Sequence, residues 1–143
     1  MKFFIYGFLS FYFLINSLYA QTSIDWNILA DVHFEEKKDE TADLTFNQAT
    51  FGPMVSQFKD QEVSITGYMI PMDPMGLSFA LSKNPNAVCF FCGGAGPETV
   101  VQLKFTTMKR YATDARLTFK GMLQLNEQDI NSLTYVLKEA TEF

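Results

Sequence analysis

Apolar and polar residues alternate with a period of two along much of the chain, the signature of half-buried β-strands. Val63, Ile65 and Gly67 alternate with Glu62, Ser64 and Thr66 after a polar turn at Lys59-Asp60-Gln61, and Pro71, Pro74 and Gly76 end that strand. Leu77 to Ser82 reads as a second strand, closed by Asn84-Pro85-Asn86. Thr99 to Phe105 is a third, with Val101, Leu103 and Phe105 on one face, and Arg116 to Leu125 is a fourth. Gly121 lies inside the fourth strand, where a residue without a side chain marks a bulge or a barrel corner.

The C-terminal segment carries two periods. Ile130, Leu133, Leu137 and Ala140 fit a helix, whereas Tyr135 and Leu137 alternating with Thr134, Val136 and Lys138 fit a strand. The turn formers from Asn126 to Asn131 favour the strand, and a fifth strand lets a small sheet close and hide its edges. Between Asp25 and Phe46, Trp26, Leu29, Val32 and Phe34 are core anchors, and Glu35-Glu36-Lys37-Lys38-Asp39-Glu40 is a solvated strand end or loop that caps or precedes the barrel. The expected fold is therefore all-β, a small five-stranded OB-like barrel, with a β-sandwich as the alternative. Val63, Ile65, Val101, Leu103, Leu117, Phe119 and Leu123 are its expected shared core.

The first twenty residues depart from this pattern. Lys2 precedes an apolar run from Phe3 to Ile15, and Asn16-Ser17-Leu18-Tyr19-Ala20 leads into the polar Gln21-Thr22-Ser23. This is the order of a secretory signal peptide with cleavage after Ala20. The run is shorter than the roughly 20 residues that span a bilayer. The expectation is a signal peptide over 1–20, a single β-rich domain over 21–143, a periplasmic or secreted location, and no stable membrane insertion after cleavage.

The chain of 143 residues carries sixteen acidic and eleven basic residues, a net charge of −5. An acidic surface repels phosphate backbones, and the one basic cluster, Lys109-Arg110 with Arg116 beyond it, is too small to reverse that. Nucleic acid is excluded as a partner. No Ser/His/Asp elbow or paired-carboxylate motif occurs, and Gly93-Gly94-Ala95-Gly96 lacks the Lys-Ser or Lys-Thr of a nucleotide loop.

Both cysteines lie in Cys89-Phe90-Phe91-Cys92-Gly93-Gly94-Ala95-Gly96-Pro97. In an exported protein this spacing admits a disulfide, a redox pair or half of a metal site. A redox pair uses a first thiol at a helix N-terminus, and here glycines and a strand follow instead. A disulfide suits the compartment but closes a very short loop, so it stabilises little. A metal knuckle uses a turn whose backbone N–H groups point at the thiolates, and zinc or copper is the ion it would hold. One knuckle supplies two ligands, and the others would come from His33, from Glu35 or Asp73, from water, or from a second copy of the chain. His33, in an apolar-polar alternation, reads first as a plain strand residue and second as a ligand. Met69, Met72 and Met75 offer soft thioethers suited to Cu(I), but read first as flexible core filler at a strand end.

At Gly67-Tyr68-Met69-Ile70-Pro71-Met72, at Phe79-Ala80-Leu81-Ser82, through Cys89 to Glu98 and at Gly121-Met122-Leu123-Gln124-Leu125, the chain resembles a family of exported bacterial proteins of unknown function. The resemblance covers roughly residues 50 to 140 and is most specific at the cysteine segment. That family is similar to periplasmic proteins with an OB-like domain, some linked to transporters and metal supply. The resemblance implies the compartment, the barrel and a metal-related role, and it implies no particular activity. The leading expectation is a non-enzymatic binding or accessory module holding a metal through Cys89 and Cys92, with His33 as a further ligand and Phe90, Phe91, Gly93 and Gly94 shaping the site. The alternative is a disulfide-stapled domain that contacts a protein partner or a second copy of itself. A thiol oxidoreductase is third.

Overall fold

The computed structural model describes residues 22–39 and 44–143. The expected signal peptide, residue 21, and Glu40 at the end of the charge run lie outside the described residues. In chain order the elements are β1 (Thr22–Ser23), α1 (Trp26–Leu29), β2 (Val32–Asp39), β3 (Leu44–Phe51), α2 (Pro53–Ser56), β4 (Glu62–Pro71), β5 (Phe79–Ser82), β6 (Val100–Phe105), β7 (Arg116–Leu125) and β8 (Tyr135–Glu142). No helix among the described residues is long and apolar enough to cross a membrane.

Five strands close a mixed barrel in the order β4-β5-β6-β8-β7, with β7 returning to β4. All neighbours run antiparallel except β6 and β8, which are parallel. The long strand β4 makes closure possible: Glu62 to Tyr68 pairs with β7, and Tyr68 to Pro71 pairs with β5. The vacant edge of its first half takes β1, in parallel, at Val63 and Ser64. This is the OB-like barrel read from the alternation pattern, with the predicted strands at their predicted places.

The core confirms the pattern residue by residue. Val63, Ile65, Val101, Leu103, Phe119 and Leu123 are buried in one cluster, and Leu117 packs half-buried against it. Tyr111, from the 106–115 connection, meets Phe79, Phe105 and Phe119 with ring centroids 5.4 to 5.6 Å apart. Helix α1 covers the region where β6 and β8 begin. Its Leu29 carbonyl accepts a hydrogen bond from the buried Tyr135 hydroxyl at 2.6 Å, and its Trp26 ring nitrogen donates to the Thr66 carbonyl at 2.8 Å.

The C-terminal segment is a strand. Tyr135, Val136 and Leu137 are buried between β6 and β7, while Ile130, which the helical period needs on the core face, is 72% exposed in the preceding loop. Gly121 is a barrel corner as expected. The β7–β8 register shifts around it, and an added Cβ would stand 2.4 Å from the Lys138 carbonyl oxygen. The extra residue of this bulge is Glu139, held at φ 53°, a conformation that costs a residue with a Cβ and that the sequence does not announce.

The charge run proves more ordered than a strand end or loop. Glu35 to Asp39 lie within β2, which pairs antiparallel with β3 as a separate two-stranded sheet from Val32↔Phe51 to Asp39↔Leu44. The base of this hairpin reaches the barrel through Phe51, whose ring lies 5.6 Å from that of Tyr135.

Candidate functional site

Residues 83–99 leave the barrel after Ser82 and re-enter at Val100, its partner across β5 and β6. The Lys83 amide donates to the Thr99 carbonyl at 2.9 Å and closes the loop at its base. Within it the backbone makes 3₁₀ turns over Asn86–Val88, Phe90–Cys92 and Pro97–Thr99. Gly93 follows the second turn at φ 76°, a left-handed position that favours glycine. Its amide donates to the Phe90 carbonyl at 2.9 Å.

This fold of the loop sets the two sulfurs 4.0 Å apart. Cys89 is fully buried and Cys92 is exposed, and both are free thiols. The Cys92 thiol donates to the Asn86 carbonyl at 3.1 Å. Its pKa is pushed up, chiefly because it shares a hydrogen bond with the Cys89 thiol, with desolvation and the charge of a Cys89 thiolate acting in the same direction. The backbone amides expected to point at the sulfurs go elsewhere. Those of Cys92 and Gly94 both donate to the Cys89 carbonyl, at 3.2 and 3.1 Å, and none of the described amides donates to a sulfur. The described backbone of the loop therefore gives neither sulfur the amide donors that hold a thiolate.

Phe90 and Phe91 stack edge to face at 5.4 Å. Phe90 is half-buried, while Phe91 and Val88 are 44% and 52% exposed, so the loop presents apolar side chains beside the exposed sulfur. Gly94 passes so close to Val88 that a Cβ would lie 2.7 Å from the Val88 carbonyl oxygen.

His33 sits elsewhere, on β2 opposite Thr50. Its side chain is 75% exposed, with its Nε2 3.9 Å from the Glu35 carboxylate. Among the described residues no three His, Cys, Asp or Glu side chains stand close enough to share one ion. Asp73 is occupied within its own loop: its carboxylate accepts the amides of Met75, Leu77 and Ser78 and the Ser78 hydroxyl. Those bonds, the Ser78 hydroxyl first, hold its pKa below the usual carboxylate range. Met69 is buried in the core. Met72 and Met75 lie in the loop that enters β5 at Phe79, whereas the cysteine loop leaves β5 at Ser82. Met75 lines a depression of about 380 Å³ with Asp73, Arg110 and Tyr111. The structure thus brings Cys89, Cys92, Phe90, Phe91, Gly93 and Gly94 into one loop and leaves His33 and the methionines outside it.

Two residues of the site have no sequence signal of their own. The Asp114 carboxylate accepts the Asn86 amide at 2.7 Å, and the Asp114 amide donates to the Met69 carbonyl at 2.9 Å. Asp114 thereby ties the cysteine loop to β4, from a left-handed backbone at φ 64°. Asn86 belongs to an Asn-Pro-Asn turn that marks only the end of β5, and nothing around Asp114 marks it.

Comparison with protein-family models, with curated proteins and with solved structures returned no match for this chain.

Proposed function

We propose that this chain is an extracytoplasmic, non-enzymatic binding module whose working surface is the loop 83–99, stapled by a Cys89–Cys92 disulfide. The observation that carries the reading is the sulfur pair itself: 4.0 Å apart, with neither sulfur receiving a hydrogen bond from any described backbone amide. A metal site and a thiol catalyst both work through a stabilised thiolate, and the reduced form of such a pair is then favoured. Here the reduced form gains no such support, and in an oxidising compartment the disulfide is the favoured state. The staple fixes the turn that carries Phe90 and Phe91, and those side chains with Val88 supply the contact surface for a protein partner.

A second reading has one observation in its favour. Two thiolates on one tetrahedral zinc, at Zn–S about 2.3 Å, stand about 3.8 Å apart, close to the separation found. Cys89 and Cys92 would then be two ligands of a zinc or copper ion, and the remaining ligands would come from water or a second copy of the chain. Elemental analysis and thiol titration of protein from its native compartment separate the two. The staple predicts neither metal nor free thiol, and stoichiometric metal on a reduced pair would replace it with the metal-holding module.

A further inference from the structure

The two sulfurs differ in one respect that the staple reading leaves unused: Cys89 is 0% exposed and Cys92 faces solvent. We propose that Cys92 is the sulfur through which this pair exchanges with an external low-molecular-weight disulfide, and that Cys89 resolves the mixed disulfide from within the loop. The proposal deepens the staple reading by assigning how the bond is made and opened.

Thiol–disulfide exchange needs the attacking thiolate in line with the S–S bond it breaks. A disulfide RSSR cannot reach a sulfur with no exposed surface, so the first attack belongs to Cys92. Its thiol loses a proton to solvent, the thiolate bonds to one sulfur of RSSR, and RS⁻ leaves. Cys89 then loses its proton and attacks the Cys92 sulfur 4.0 Å away, forming the Cys89–Cys92 bond and expelling the second RS⁻. Two protein thiols are oxidised and one RSSR is reduced to two RSH. Opening runs the same path backwards: an external thiolate attacks Cys92, and Cys89 is the leaving group. The order is the reverse of a pair whose first cysteine is exposed at a helix N-terminus. Mixed-disulfide formation also removes the thiol hydrogen that Cys92 donates to Asn86.

The test uses the full chain, reduced, freed of reductant and mixed with oxidised glutathione. The wild type should end with an internal disulfide and retain no glutathionyl group. Cys89→Ala should hold one glutathionyl group, on Cys92, and Cys92→Ala should react at least about tenfold more slowly, its remaining thiol being buried. A Cys92→Ala chain that is modified as fast as Cys89→Ala, or a wild type that keeps the adduct, overturns the assignment. Because alanine at a buried position can disturb folding, the reduced wild type is also labelled with limiting iodoacetamide. Peptide masses should place the label on Cys92 first, and equal labelling of both cysteines contradicts the proposal. Since every arm starts from reduced protein, its outcome is independent of whether the chain carries the staple in its native compartment.

Discussion

Asn86 and Asp114 meet at 2.7 Å, backbone amide to carboxylate, across 28 positions of sequence. The carbonyl of the same Asn86 receives the Cys92 thiol at 3.1 Å. One residue therefore connects the exposed sulfur to the body of the barrel, because Asp114 is itself bonded to β4 at Met69.

Replacing Asp114 tests that connection. Asp114→Ala removes the acceptor while keeping a side chain at positive φ, and it should cost about 1 kcal/mol. Asp114→Asn keeps an acceptor oxygen and a residue that tolerates the left-handed region, and should cost less than half as much. Urea unfolding with an unchanged m-value is the measurement. Equal losses for both variants would show that this hydrogen bond does not hold the loop.

Phe119 is the central ring of the barrel core. It is fully buried and touches the rings of Phe105 and Tyr111. Phe119→Ala should destabilise by about 3 to 5 kcal/mol through the cavity left behind. Leu117→Ala, at a half-buried position on the same strand, should cost less. Chemical denaturation of the two variants checks the order.

Gly121→Ala probes the barrel corner. The nearest atom the added methyl group meets is backbone, the Lys138 carbonyl oxygen, which cannot turn aside as a side chain could, and the buried Leu137 Cγ follows at 3.0 Å. A loss of about 1 to 3 kcal/mol is expected. Unchanged thermal unfolding would mean that the β7–β8 register relaxes at no cost.

Tyr135 and Tyr111 make stability fall at alkaline pH. Desolvation by burial is the largest cause of the raised pKa at both, with Glu98 and Asp31 adding at Tyr135 and Glu142 at Tyr111. A phenol whose folded pKa exceeds its unfolded value of about 10 holds its proton more tightly in the folded state. Its contribution is complete below that value and is lost as pH rises through the folded pKa. Urea midpoints should therefore drop above about pH 10, and Tyr135→Phe should flatten the drop while lowering stability at neutral pH by about 1 kcal/mol through the lost bond to Leu29. An identical alkaline profile in that variant would contradict the assignment.

The barrel was legible because its strands bury one face each and so write a period of two into the chain, and Gly121 was legible because a bulge at a closed corner excludes a side chain. The β2–β3 hairpin was not. Glu35, Glu36, Lys37 and Lys38 are all exposed, so both faces of β2 carry charge there and no apolar alternation marks the strand. Glu139 and Asp114 adopt left-handed backbones that ordinarily advertise glycine, and neither residue type does so. At the site, spacing joined Cys89 to Cys92, but which sulfur is buried depends on how the loop packs on distant residues. The placement of His33 on the hairpin is a long-range fact of the same kind.

Reduction of the staple should change stability little. A bond between residues three apart closes a minimal loop, for which chain entropy allows at most about 2 kcal/mol. Urea midpoints with and without reductant should differ by no more than that, and unfolding on reduction would mean that the bond holds more than its own turn.

Differential alkylation tests the staple most directly. Protein taken from its native compartment is alkylated before reduction, then reduced and alkylated with a second reagent, and its intact mass is read together with its metal content. The account predicts no first label, two second labels on Cys89 and Cys92, and no metal. A first label on Cys92, alone or with Cys89, or labels that appear only after a chelator has removed a bound ion, would contradict it.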